Sequence, residues 1–248
     1  MSAEVDRPLI GITTSFREED GGGRRQNLET SYVDAVEAAG GCPVVLPMTA
    51  SRHALQPLLD RLDGLVITGG PGIGERLIGT LPEELPPTPR YRANADLWAW
   101  EGVRQRQRPV LGICYGMQFI NARLGGSIYA DAQQQLGCSP HSPSRNSGAA
   151  VFHEIEVTGG SLLEGLAAGQ RRVNSYHLQA LGDIGEDLIV SARSPDGLIE
   201  GIETEDGQLV GVQFHPERMG SSWAGLFANL TDRAGQQPVQ RHQRLPSD

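Results

Sequence analysis

Short apolar runs alternate with stretches of helical periodicity through the first half of the chain. Pro8 to Thr14 (PLIGITT) predicts a buried strand, and Glu29 to Ala39 (ETSYVDAVEAA) a helix closed by Gly40-Gly41. Pro43 to Pro47 is a second strand, followed by a helix over Ser51 to Leu62 with Ser51 at its N-cap. Asp63 to Thr68 (DGLVIT) is a third strand, running directly into Gly69-Gly70-Pro71-Gly72. A helix over roughly Ala95 to Gln107 precedes the apolar run that leads to Cys114, and Tyr115 to Leu124 forms the next helix. This alternation predicts an α/β fold with a mostly parallel central sheet and helices on both faces.

The second half changes period. Val151 to Val157 (VFHEIEV), Asp187 to Ala192, Leu198 to Glu203 and Leu209 to Phe214 alternate apolar and polar residues. The turns Pro195-Asp196-Gly197 and Glu205-Asp206-Gly207 separate three of these runs and predict antiparallel hairpins. Ser221 to Arg233 is a final helix with Trp223, Leu226, Phe227 and Leu230 on one stripe. Residues 1–235 are expected to form one domain, and the polar, aperiodic segment 236–248 a frayed tail. Glu83 to Pro89 and Gly137 to Gly148 are Pro/Ser-rich loops, and no internal repeat is present.

A net charge of −9 argues against a nucleic-acid or anionic-membrane partner, either of which favours a basic patch. Three cysteines, Cys42, Cys114 and Cys138, form an odd set without metal-ligand spacing, which suits a reducing compartment. No basic start followed by an apolar core marks the N-terminus, and no run approaches a membrane span, so a cytoplasmic protein is expected. A homodimer is the default for an enzyme of this size.

The chemistry concentrates in PVLGICYGMQ, residues 109–118. An apolar run ends at Gly112, Cys114 follows, and Gly116 opens a helical segment: the layout of a nucleophile elbow. A cysteine at a helix N-terminus is favoured as thiolate by unpaired N–H groups and the helix dipole. A thiol nucleophile needs a base, and the base an orienter. GVQFHPE, residues 211–217, offers both: His215 and Glu217 stand beyond the end of an apolar strand, with Pro216 fixing the backbone between them. The N–H groups of Gly70 and Tyr115 would form an oxyanion hole, such donors contributing about 2.7–4 kcal/mol each to transition-state stabilisation.

GICYGMQ followed about a hundred residues later by FHPE, with a Gly-Gly-Pro turn upstream, resembles the class I glutamine amidotransferases and their Cys-His-Glu triad. Within that superfamily the chain is most similar to the γ-glutamyl-γ-aminobutyrate hydrolase-like peptidases of family C26. The segments YVDAVEAAGGCPVVLP from Tyr32, HEIEVTGGSLLEGL from His153, VNSYHLQAL from Val173 and ARSPDGLIEGIE from Ala192 carry this likeness, which runs from about Pro8 to Leu230. The resemblance implies a flavodoxin-like fold and hydrolysis of the γ-glutamyl amide of a small molecule through a thioester on Cys114. It places Gln118 against the glutamyl group, and Ser175, Tyr176, His177 and Gln179 on the loop that binds its α-amino and carboxylate ends.

The chain also departs from the family. Many relatives carry an acidic residue soon after the Gly-Gly turn, an Arg-Asp pair before the helix that leads to the nucleophile strand, and Arg after the nucleophile. Here the corresponding segments read PGIGERLIGT, RYRANADLWAW and Tyr115. With the 131–149 loop, they are expected to frame the leaving-amine side of the pocket. His177 is a second candidate base, but it lacks an acidic residue at a suitable offset, so a structural or substrate-facing role is expected. His153 reads as structural, while His53, His141 and His242 receive no role and Cys42 and Cys138 are bystanders. Trp98 and Trp100 either pack or cover the pocket entrance. No metal or organic cofactor is implied, because no His/Cys/Asp cluster has ligand spacing. A glutaminase subunit that hands ammonia to a separate synthase is the alternative function.

Overall fold

The computed structural model describes residues 7–19 and 22–236. Its main sheet has eight strands in the order Glu156–Val157, Leu188–Arg193, Ile199–Thr204, Leu209–Val212, Val110–Ile113, Gly64–Ile67, Leu9–Ile12, Cys42–Val45. The last five of that order pair in parallel, and the first three extend the sheet antiparallel. This is the mixed α/β architecture expected. Gly197 and Gly207 take φ of 89° and 66° in the two turns that close the antiparallel hairpins, a backbone that glycine adopts without steric cost.

The central strands are buried on both sides, so their residues are apolar without alternation. Leu65 and Ile67 pack on one face with the helices Arg52–Leu59, Arg90–Arg104 and Tyr115–Arg123. Val66, Leu111 and Ile113 pack on the other with Thr30–Ala38, Leu162–Ala167 and Ala224–Gln236. Trp100 meets Phe119 edge-on at 6.1 Å, and Trp98 packs against the same cluster, so both tryptophans belong to the core rather than to a pocket mouth.

Three departures from the sequence reading have physical causes. The VFHEIEV run divides at Ile155, which is buried. Val151–Glu154 pairs with Arg172–Ser175 in a separate two-stranded sheet, and Glu156–Val157 joins the edge of the main one. The third helix begins at Arg90, five residues before its expected start, because Arg92 and Asp96 are polar yet fully buried and so hide the apolar periodicity. The polar hairpin Ser15–Glu18/Arg24–Asn27 carries no apolar pattern to announce it, and the strands of the small sheet, Leu77–Ile78, Ile128–Tyr129 and Ala180–Leu181, are apolar but only two residues long, too short for a periodicity. The expected tail, beyond Gln236, and His242 lie outside the described residues. Among those described, no helix is long and apolar enough to cross a membrane.

Candidate active site

The Val110–Ile113 strand lies between Gly64–Ile67 and Leu209–Val212 and runs straight into Cys114, where the chain bends into the Tyr115–Arg123 helix. Cys114 adopts φ 53° and ψ −104°, a conformation that costs a non-glycine residue about 1–3 kcal/mol. Both flanking glycines are demanded by close approach. A Cβ on Gly116 would stand 2.1 Å from the carbonyl oxygen of Ile67, and one on Gly112 would stand 2.6 Å from the Gly116 backbone. The bend is pinned by the Cys114 N–H, which donates to Val212 at 2.8 Å.

His215 lies three residues past the end of the neighbouring strand, and its Nδ1 lies 2.7 Å from Glu217 Oε1 across the short 3₁₀ turn Pro216–Arg218. The His215 backbone is clamped by Asn174, whose Oδ1 accepts the His215 N–H at 2.8 Å and whose Nδ2 donates to the His215 carbonyl at 2.9 Å. Phe214 packs on Trp223 at 4.6 Å beneath it, and Tyr176 meets the imidazole edge-on at 5.5 Å. Burial pushes the Cys114 thiol up, but the hydrogen bond and charge of His215, the charge of His177 and the Tyr115 N–H outweigh it, and the thiol falls below its ordinary value. Burial alone would depress His215; its contacts with the thiol and with Glu217 instead raise it to about 10. Both shifts favour a thiolate facing an imidazolium.

The turn after Gly64–Ile67 is held on both sides. Gly69 N–H donates to Tyr32 Oη at 3.0 Å, while the guanidinium of Arg92 donates to the carbonyls of Thr68 and Gly69 at 3.0 and 2.9 Å. Arg92 is itself fully buried, paired with Asp96 at 3.2 Å and lying over the Tyr115 ring at 4.4 Å. With Gly69 engaged, Gly70 is the residue of the turn whose N–H has no acceptor among the described residues. Gly70 also lines the hollows on both sides of Cys114.

Cys114, Gly70 and Tyr176 are shared by those two hollows. One is lined on the imidazole side by Ser15, Asn27, Glu29, Tyr32, His215 and Arg218. The other is lined by Glu84, Gln118, Ser142, Ser144, His177 and Gln179. Gln118 donates to Gln179 O and Gln213 Oε1 at 3.3 and 3.1 Å. Gln179 grips the Ile73 backbone from both ends of its amide, at 2.8 and 3.0 Å. Ser175 is fully buried and donates to the His141 carbonyl at 2.9 Å, behind the pocket wall. His177 does have a carboxylate partner: Glu200, from the Ile199–Thr204 strand, lies 3.4 Å from its Nε2. Burial depresses His177, but Glu200 and the thiol outweigh it and raise it. The offset rule missed this pair because the acid comes from a different strand.

Tyr32, Arg92, Asp96 and Asn174 were not singled out as site residues from sequence. Arg92 and Asp96 at i, i+4 within RYRANADLWAW carried a readable signal, since two opposite charges at that spacing share one helix face. Tyr32 and Asn174 carried none, for their partners are 37 and 41 residues away.

The peptidase C26 family model matches residues 8–217. Protein NtpR of Enterococcus hirae is 34% identical over 226 residues, covering 88% of this chain and 92% of that one. The γ-glutamyl-γ-aminobutyrate hydrolase PuuD of Escherichia coli K12 is 31% identical over 229 residues, 89% of each chain. Among solved structures, the glutaminase domain of CTPS from Trypanosoma brucei, with bound acivicin, superposes with a TM-score of 0.58 over 94% of this chain and 97% of that one. At 14% identity it speaks for the fold alone. These likenesses support a cysteine-type amidohydrolase or a glutamine amidotransferase-like function. With the model match spanning most of its length, the chain belongs to the peptidase C26 family.

Proposed function

We propose that the protein hydrolyses the γ-glutamyl amide of a small γ-glutamyl amine. The observation that carries this is the strained Cys114 elbow set between the His215–Glu217 pair and the unengaged N–H of Gly70. Cys114 Sγ attacks the γ-carbonyl carbon, and the developing oxyanion is met by the N–H groups of Gly70 and Tyr115. His215, already protonated by the thiol, gives that proton to the leaving amine as the C–N bond breaks. It then takes a proton from the water that cleaves the γ-glutamyl thioester. Glu217 holds the imidazole with Nε2 toward sulfur and balances its charge.

The proton donor must stand on the amine side, so the hollow containing His215, Ser15, Asn27 and Arg218 takes the leaving amine. The hollow with Gln118, Ser142, Ser144, His177 and Glu84 takes the glutamyl head. There the Glu84 carboxylate, 2.7 Å from Arg145, suits an α-ammonium, and the hydroxyls of Ser142 and Ser144 suit an α-carboxylate. The 131–149 loop, expected on the amine side, contributes Ser142 and Ser144 to the opposite hollow. PuuD, by its name, acts on γ-glutamyl-γ-aminobutyrate, which makes that compound the first substrate to offer. Amine release by the purified chain from γ-glutamyl-γ-aminobutyrate or another γ-glutamyl amine is the expected result. Release only from glutamine, and only with a synthase present, would replace this reading with the glutaminase-subunit one.

A further inference from the structure

Behind the glutamyl-side hollow, three imidazoles converge on one carboxylate. Glu200 is fully buried on the Ile199–Thr204 strand. His177 Nε2, His153 Nε2 and His141 Nδ1 lie 3.4, 3.5 and 3.7 Å from its Oε1. None of these approaches has hydrogen-bond geometry, and both Glu200 oxygens are without a partner among the described residues. Glu203, three residues along the same strand and equally enclosed, shows what a satisfied carboxylate looks like here: its oxygens accept the N–H groups of Leu162 and Leu163 at 2.7 and 3.1 Å. A buried carboxylate without such donors calls for a counter-charge, from a protonated imidazole or a metal ion.

The far side of each ring narrows what that counter-charge is. His153 Nδ1 is 2.9 Å from the Glu154 carbonyl and His177 Nδ1 is 2.9 Å from the Gln179 carbonyl, so each must hold its hydrogen at Nδ1. His141 Nε2 lies 3.2 Å from Asp196 Oδ2. The remaining nitrogens, one per ring, all turn toward Glu200; at His141 Nδ1 the other neighbour is the Ser175 hydroxyl at 3.1 Å, whose hydrogen is given to the His141 carbonyl, so a metal ion would displace the hydrogen held at Nδ1. Anchoring of the outer ring nitrogen by a carbonyl or carboxylate, with the inner one left as a lone pair, is how proteins present histidine to a metal ion. Donors about 2.1 Å from a tetrahedral ion stand roughly 3.4 Å apart, close to the 3.5 and 3.7 Å seen from Glu200 to His153 and His141. The donor atoms of His141, His153 and Glu200 all lie within 4.8 Å of one another. A surface hollow lined by Pro140, Phe152 and Asp196 gives solvent access to His141 and His153.

We propose that His141, His153 and Glu200 bind one divalent transition-metal ion, of the zinc class by their imidazole and carboxylate donors, with His177 facing the site from the active-site side. The ion ties together three separate segments: the loop at His141, the Val151–Glu154 strand and the Ile199–Thr204 strand. Val151–Glu154 pairs with the strand carrying Asn174, so the ion braces the support of His215 from outside the reacting centre. Sequence spacing did not disclose the site because its donors are scattered over sixty residues. The adjacent grouping of Cys138, His141 and Asp196 shares one of these histidines but is more exposed.

The test uses the full-length Cys114→Ala protein, which removes the reactive thiol that would itself take up zinc. After chelation and dialysis it is titrated with zinc chloride, with metal counted after gel filtration and the melting temperature followed. One equivalent of zinc retained per chain, with a raised melting temperature, is expected. His153→Ala, placed on the half-buried rim, should weaken binding at least tenfold, and Glu200→Gln likewise, whereas Cys138→Ala should keep the full equivalent. Cobalt(II) in place of zinc should give tetrahedral visible bands without a thiolate charge-transfer band. Failure of the parent protein to retain zinc, full retention by folded His153→Ala, or loss with Cys138→Ala would each overturn the proposal. Should Glu200→Gln fail to fold, His153→Ala decides alone.

Discussion

Glu217 and Glu200 are both buried carboxylates beside histidine, and they meet it in opposite ways. Glu217 meets one imidazole two residues away through a 2.7 Å hydrogen bond. Glu200 meets three imidazoles brought from three other segments, at 3.4 to 3.7 Å, and bonds to none. The first arrangement fixes a tautomer and leaves the other ring nitrogen free to move a proton. The second gathers three inner ring nitrogens and a carboxylate around a common point, a set that suits a cation. The same two residue types therefore suit different chemistry according to whether a ring nitrogen bonds the carboxylate or only faces it.

Removing the sulfur should have the largest effect on this contrast. Cys114→Ala is expected to lower turnover of a γ-glutamyl amine by at least ~10⁴-fold with unchanged circular dichroism, and His215→Asn nearly as much. Activity retained by the alanine variant would discard the assignment of the nucleophile. Glu217→Gln should be milder by roughly 10²-fold, since an orienting acid contributes less than a nucleophile or base; a loss as large as that at Cys114 would mean that the carboxylate does more than orient. The buried Arg92–Asp96 pair supports the Gly69-Gly70 turn, and Arg92→Ala leaves Asp96 uncompensated. A loss of about 3–5 kcal/mol in denaturant unfolding is expected, and an unchanged midpoint would show that water replaces the guanidinium. Asn174→Ala strips two partners from the His215 backbone and should destabilise by about 1–3 kcal/mol, with kcat falling while KM holds.

The pH dependence of Cys114 alkylation separates the two histidine sites most finely. The lowered thiol keeps its thiolate as pH falls below the ordinary cysteine range and loses it only on passing the depressed value. His215→Asn should move that acid limb upward by at least ~1 pH unit, while His153→Ala should leave it in place. On the alkaline side His215 loses its proton as pH rises through about 10, and turnover should fall there as the acid needed by the leaving amine disappears. Equal shifts from both variants would show that the two sites titrate as one.

By itself the sequence determined the β-α alternation, the elbow at Cys114 and the His215–Glu217 pair, because each is encoded within a few residues. Glycine on both sides of Cys114 reports a contact too close for a Cβ, and a His-Pro-Glu run keeps its geometry wherever the strand before it is placed. Only the folded chain decided that VFHEIEV changes sheets at Ile155, that Arg92 and Asp96 face inward under the turn, and that Asn174 holds His215. It alone brought His141, His153 and His177 around Glu200. Periodicity reads hydrophobic burial, and it is silent on buried polar groups whose partners are set by sheet pairing across dozens of residues.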